Sequence, residues 1–312
     1  MTSARPLYAC IEAGGTKFIA GIAAGPRDIL DTARFATTTP GAMLAAVTDW
    51  LAEAVRRHGP VRAAGIASFG PLSLDRSAAD WGHITATPKP GWSGIDLAGP
   101  VGAALGVPVG FDTDVNGAAL AEARWGAAIH QRVAVYVTIG TGIGGGAVVN
   151  DVPLHGQGHP EMGHMRPARH PGDKDFAGIC PFHGDCLEGL ASGPAIAARW
   201  GASLSDLPAD HEGHAIVAHY IAQLVVNLQA VLAPGRIILG GGVMGTAGLL
   251  ARVRSEAVQL GGGYFASDAA QVIVPPGLGD HAGLLGALAL AMDASGARAM
   301  DASGARAMDA SD

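Results

Sequence analysis

Two stretches of this sequence follow one plan. Residues 10–22 read CIEAGGTKFIAGI and residues 137–149 read VTIGTGIGGGAVV. Each is an apolar strand, a glycine-rich tight turn and a second apolar strand. A plan repeated at so large a separation predicts two related halves, each opening on its own hairpin, and excludes one continuous sheet. With 312 residues the chain is long enough for two such domains.

The intervening segments alternate between strand and helix signals. DILDTARFATT extends the first hairpin into a third strand. Apolar residues at helical spacing predict a helix over 41–59, ending in basic residues and a glycine. RAAGIASFG (62–70) reads as a buried strand. A Pro/Gly/Trp-rich loop, a short helix near 95–105, the strand VPVGF and the helix DVNGAALAEARWGA follow. The second half runs through the hairpin at 132–150, a long helix over 211–232, the strand GRIILGG, a helix over 245–260 and the strand QVIVP. The helix HAGLLGALALAM comes last. Residues 293–312 repeat MDASGARA almost verbatim and read as a low-complexity tail.

Glycine turns between strands leave backbone N–H groups unshielded, so they can converge on phosphate oxygens. Thr16, Lys17, Thr138 and Thr141 would add side-chain donors. Neither turn is a Walker A loop, and neither is a dinucleotide fingerprint, because the glycines precede a strand and not a helix. A third glycine cluster, in PGRIILGGGVMG (234–245), lies at a strand-to-helix junction where nucleotides dock on α/β sheets. Asp112, Asp114 and Asn116 fall where a strand ends and a helix begins. A carboxylate there can cap the helix, or serve as the base that takes a hydroxyl proton during phosphoryl transfer.

The segment GICPFHGDCLEGL (178–190) carries two of the three cysteines. A disulfide is disfavoured in a large cytosolic chain, and the spacing is not that of a C-x-x-C redox pair. His164, Cys180, His183 and Cys186 form an H-x15-C-x2-H-x2-C set, which suits a tetrahedral structural zinc site with no open position. His155, His159 and His170 compete with them, and spacing does not rank the histidines. Glu161 and Glu188 flank the knuckle and could be held towards a polyhydroxyl substrate. Cys10, on the first strand, reads as a small buried hydrophobe.

A formal charge of -7 and the lack of a basic stripe argue against nucleic acid. No uninterrupted apolar run approaches the ~18 residues of a membrane span. The N-terminus shows no long apolar segment with a cleavage signal, which predicts a cytoplasmic protein.

From about residue 7 to 290 the chain resembles the ROK (repressor, open reading frame, kinase) sugar kinases of the actin-like ATPase superfamily, and especially their bacterial fructokinase branch. GGTK, TIGTGIGGG, HPEMGH, CPFHGDCLEGLASGPA and IILGGGV carry that resemblance, in family order. It implies an α/β protein of two actin-like (ribonuclease H-like) domains, with a cleft between them and a zinc knuckle. A small domain over 1–118 would be completed by the C-terminal helix at about 281–292. A large domain over 119–280 would hold a zinc-binding insert at about 155–190.

The implied activity is ATP-dependent phosphorylation of D-fructose to fructose 6-phosphate, the alternative being a mannokinase or broad hexokinase of the same family. Asp114 would be the general base. Gly14, Gly15, Thr16 and Lys17 would form one phosphate loop, Thr138, Gly140, Thr141 and Gly142 the other. Gly240, Gly241 and Gly242 would lie along the adenosine. Glu161, His164, Glu188 and Thr113 would meet the sugar, and His164, Cys180, His183 and Cys186 would hold structural Zn²⁺. Mg²⁺ would accompany ATP, and family members are commonly homodimers.

Three positions depart from the broad family pattern: Glu12 for the usual Asp, Thr113 for Asn, and ITATPKPGW (84–92) for a loop that supplies an Asn to glucose. They match the fructokinase branch. Regulators of the family carry a helix-turn-helix ahead of the first hairpin, which opens here by residue 8, so an enzyme is expected.

Overall fold

The computed structural model describes residues 5–296. Of the repeat tail expected over 293–312, residues 297–312 lie outside the described residues. The chain divides into two compact units: Met1–Ala121 with His155–His159 and Asp280–Asp312, and Glu122–Leu154 with Pro160–Gly279.

In the first unit, β1 (Leu7–Ala13), β2 (Lys17–Gly25) and β3 (Asp28–Ala36) form an antiparallel meander. β4 (Val61–Ser68) and β5 (Val109–Thr113) add in parallel beside β1, so the sheet order is β3-β2-β1-β4-β5. β1 and β4 read as near-continuous apolar runs because both faces of the sheet are covered. On one face lie α1 (Pro40–His58) and α2 (Ala98–Leu105). α1 buries Met43, Val47, Leu51 and Ala54, one helical stripe. Each of the three larger side chains contributes about 1.5–3 kcal/mol. Pro40 fits the first turn, whose N–H has no helical partner, and Gly59 ends the helix at φ +108°.

The other face is covered by the C-terminal helix Ala282–Ala294. It lies so close that a Cβ at Gly65 of β4 would stand 1.8 Å from the Ala287 carbonyl oxygen. Any side chain at Gly65 would lift the helix off the sheet. α3 (Asp114–Trp125) begins at the end of β5.

The second unit repeats the order. β6 (Val133–Ile139), β7 (Ile143–Val149) and β8 (Val152–Pro153) form the meander. β9 (Arg236–Gly240) and β10 (Ile273–Val274) add in parallel, giving β10-β9-β6-β7-β8. Read from its other edge, this is the first sheet's arrangement, as the repeated hairpin sequence predicts.

Around the second sheet pack α4 (Leu187–Ala191), α5 (Gly193–Trp200), α6 (Gly213–Leu232), α7 (Leu249–Gly261) and α8 (Ala269–Val272). α6 is long and apolar enough to cross a membrane, and 56% of its most apolar window is buried within the protein. Its Ile216, Tyr220, Ile221, Leu224 and Val225 form the middle of this unit's core.

One boundary differs from expectation. Residues 155–159, expected to open the zinc insert of the second domain, pack with the first unit. The reason is local bonding: His155 meets Asp112, and the Leu72 amide donates to His159 Nε2 at 3.0 Å.

Candidate active site and metal cluster

The first glycine turn joins β1 to β2. The Gly14 amide closes it by donating to the Lys17 carbonyl at 2.9 Å. Thr37 braces it twice, through its hydroxyl to the Gly14 carbonyl and its amide to the Thr16 carbonyl, both at 2.9 Å. A Cβ at Gly14 would strike the Lys17 carbonyl at 2.7 Å, whereas one at Gly15 would meet nothing within 4 Å. Glycine at 14 thus serves the turn. At 15 no protein atom requires it, and the open approach to the backbone is what an anionic ligand uses.

Glu12, at the end of β1, has a buried carboxylate oxygen, Oε2, with no hydrogen-bond partner. Burial pushes its pKa up, against the pull of Lys17 and Arg34. Its carboxyl lies over Gly283, where a Cβ would stand 2.3 Å from Cδ. The extra methylene relative to aspartate is accommodated by that glycine. An unpaired carboxylate oxygen beside a phosphate-type turn suits a hard cation such as Mg²⁺.

The loop expected to shape sugar choice is anchored beside this turn. Trp92 is buried against Phe18 and Phe69, with ring centroids 5.5 Å away in both cases. Its indole N–H donates to the Thr38 carbonyl at 3.2 Å. The Lys89 ammonium on the same loop donates to the Gly15 carbonyl, a cation at the turn that sequence reasoning did not single out.

Asp114 opens α3, and its Oδ1 accepts the Val115 amide at 2.9 Å. Beneath it, Asp112 is 2% exposed. Asp112 Oδ1 accepts the Thr113 amide at 2.7 Å and Asn116 Nδ2 at 2.8 Å, and Oδ2 lies 2.9 Å from His155 Nε2. The buried Thr113 hydroxyl accepts the Asn116 amide at 3.1 Å. Thr113, expected as a sugar contact, also caps the start of α3, its own hydroxyl hydrogen being left to donate. Asp112 was seen only as a candidate cap or base, and His155 only as a candidate metal ligand. Together they fix the turn that presents Asp114.

The hydrogen bond to Asp112 raises the His155 pKa, against a smaller desolvation effect. A raised folded-state value means the pair's stabilisation is full below about 6.5, the ordinary imidazole pKa. It is lost as pH rises through the folded-state value. The thermal midpoint of wild type is therefore expected to fall relative to His155→Gln as pH rises above about 6.5. Parallel curves for the two proteins would show that the pair does not titrate.

In the second unit, the turn between β6 and β7 is closed by the Gly140 amide donating to the Gly142 carbonyl at 2.9 Å. Thr141 is exposed at its apex. The Gly193 amide donates to the Gly140 carbonyl at 2.7 Å, and Glu188 Oε2 accepts the Ile143 amide at 2.9 Å. The third glycine cluster adjoins this turn: a Cβ at Gly140 would have the Gly242 amide nitrogen as its nearest neighbour, at 3.9 Å. Gly241 takes φ +91°, in the left-handed region, and a Cβ at Gly242 would meet nothing within 4 Å. The structure thus sets the Gly140–Gly142 turn beside the Gly241–Gly242 backbone, with Gly240 buried at the end of β9.

His164, Cys180, His183 and Cys186 present ligand atoms that all lie within 4.8 Å of one another. His164 Nδ1 is 3.5 Å from Cys186 Sγ and 3.8 Å from Cys180 Sγ, which is 3.7 Å from His183 Nδ1. Ligand atoms about 2.0–2.3 Å from a tetrahedral centre stand roughly 3.3–3.8 Å apart. Donor set and spacing therefore fit zinc. Neither cysteine is in a disulfide, and burial pushes the Cys186 thiol up to about 11. The competing histidines are engaged elsewhere: His155 and His159 as above, and His170 through its Nδ1, which accepts the Gly172 amide at 3.1 Å.

Glu161 and His164 bracket the 3₁₀ turn Met162–His164, which lies on β7. A Cβ at Gly163 would stand 1.8 Å from the Ile143 carbonyl oxygen, so this approach requires glycine.

A family model described as the ROK family matches residues 8–294. The chain belongs to the ROK family. It is 49% identical to a fructokinase of Zymomonas mobilis over 298 residues, covering 94% of this chain and 99% of that protein. Among solved structures, a ROK hexokinase from Thermus thermophilus superposes with a TM-score of 0.76 at 27% identity, covering 91% of this chain and 97% of its own. A ROK glucokinase from Streptomyces griseus, in complex with glucose and AMPPNP, gives a TM-score of 0.71 at 25% identity, covering 92% and 99%. The two α/β units are thus the actin-like ROK sugar-kinase architecture, and the chain is a ROK sugar kinase.

Lys89 and the Asp112–His155 pair are the groups in this ROK chain that motif reading passed over. PKPGW was the available signal for Lys89. His155 had none beyond its residue type, because its partner lies 43 residues away.

Proposed function

We propose that this ROK kinase is a fructokinase, transferring the γ-phosphoryl group of ATP to the 6-hydroxyl of D-fructose. The identity to the Zymomonas mobilis fructokinase over nearly the whole of both chains carries that reading. Asp114 accepts the hydroxyl proton as the sugar oxygen bonds to the γ-phosphorus. The bond from phosphorus to the β–γ bridging oxygen breaks, and ADP leaves with that electron pair. The turns Gly14–Lys17 and Thr138–Gly142 hold phosphate oxygens through backbone amides other than those of Gly14 and Gly140, which close the turns, with Lys17 and Lys89 supplying cationic charge. Gly240, Gly241 and Gly242 bear the adenosine. Glu161, His164 and Glu188 hold the sugar hydroxyls.

Mg²⁺ bound with ATP would neutralise phosphate charge, and Glu12, with its unpartnered Oε2, would hold it. Zinc held by His164, Cys180, His183 and Cys186 would act as a closed brace, with no exchangeable water for hydrolysis. The same reading makes the protein a cytoplasmic homodimer.

Purified protein with Mg-ATP is expected to release ADP with fructose at a kcat/KM at least tenfold above those with mannose and glucose. Faster turnover of mannose or glucose would make it a broad hexokinase. No ADP with any of the three would remove the sugar-kinase assignment of substrate.

A further inference from the structure

Glu188 enters the proposed function as a sugar contact, but its carboxylate also reaches the second glycine turn. Oε2 accepts the amide of Ile143, the residue that follows the turn, at 2.9 Å. A Cβ at Gly142 would come within 2.7 Å of the same oxygen, so glycine at 142 is what admits the carboxylate. At the turn's other end, the Gly193 amide donates to the Gly140 carbonyl at 2.7 Å.

Both struts come from one short segment. Glu188 is the second residue of α4, directly after Cys186. Gly193 is the first residue of α5, whose start is capped by the Ser192 hydroxyl accepting the Ala195 amide at 3.3 Å. Cys186 anchors that segment in the metal cluster, and the Leu187 amide donates to the Met165 carbonyl at 2.9 Å, tying it to the residue that follows the 3₁₀ turn carrying His164. The turn's shape is therefore set from outside the hairpin.

We infer that Glu188 is a positioning residue for the second phosphate turn, and that it couples sugar binding to nucleotide binding. This rests on the fructokinase reading for the sugar half only. A carboxylate has two oxygens; one holds the turn, and the other is the one a sugar hydroxyl would take. Fixing the carboxylate from the sugar side also fixes the Ile143 amide and the turn before it. Nucleotide must then favour sugar by the factor with which sugar favours nucleotide, typically about 5–150-fold for coupled sites.

The test is binding of Mg-AMPPNP to the full-length, zinc-loaded protein by calorimetry, with and without fructose. Wild type is expected to bind it at least about fivefold tighter with fructose present. Glu188→Ala should bind it about tenfold more weakly without sugar and show no tightening on adding fructose. Glu188→Asp, too short to reach Ile143 from the same backbone, should behave alike, and it stands in if the alanine variant loses zinc. Glu188→Gln keeps an oxygen for the Ile143 amide and should bind within about twofold of wild type.

Equal sugar-free affinities in wild type, Ala and Asp variants would overturn the inference, even where wild type phosphorylates fructose. Because the sugar-free measurement needs no turnover, an inactive wild type would defeat the fructokinase reading and leave the role in the turn to stand or fall on these affinities.

Discussion

Asp114→Asn is expected to lower kcat for fructose by roughly 10²–10⁴-fold, the usual worth of a positioned general base. Asparagine keeps the shape and an oxygen for the Val115 amide, so α3 should start as before and stability should change little. Asp114→Ala should match that loss of kcat and add about 1 kcal/mol of destabilisation, as for loss of a helix-end side chain. The comparison separates the two roles of the carboxylate. If Ala alone loses stability and both variants retain near-normal kcat, Asp114 serves only the start of α3 and the base lies elsewhere. Asp112 does not substitute: it is 2% exposed, and its oxygens are taken by Thr113, Asn116 and His155.

Cys186→Ser is expected to abolish stoichiometric zinc binding, read by elemental analysis, and to lower the thermal midpoint. Cys186 is fully buried and shares the cluster with a half-buried His164 and a buried Cys180. A loss of ~3 kcal/mol would move the midpoint by roughly 6–12 °C in a domain of this size. The effect should spread, because the segment after Cys186 supplies both struts of the glycine turn. Nucleotide and sugar affinity are therefore expected to fall together, each by at least tenfold. A variant that loses its metal yet keeps its midpoint and both affinities would make the knuckle dispensable.

The hairpins, the parallel additions and the long helices were readable because each is written in local pattern. Strands here are apolar runs between glycines, and α1 repeats its buried positions at helical spacing. α4 and α5 were not readable: LEGLASGPAIAARW is punctuated by glycine, serine and proline, which read as loop. They form because Ser192 caps one helix and the metal segment anchors the other. The metal ligands were legible by residue type and spacing, but the choice among histidines was not, since that depends on which unit residues 155–159 join. The same limit hid the Asp112–His155 pair. Glu188 was seen as a carboxylate near the knuckle; its bond to Ile143 depends on a missing side chain at Gly142, 46 positions upstream.

The packing of Ala282–Ala294 against Gly65 sets an order of events during synthesis. β1 to β5 leave the ribosome early, yet one face of their sheet stays bare until the final helix emerges. The second unit is built from residues that have all been made by then. Although domains generally fold in order of emergence, here the half translated first is the half finished last, and its waiting surface is the one a chaperone would need to shield.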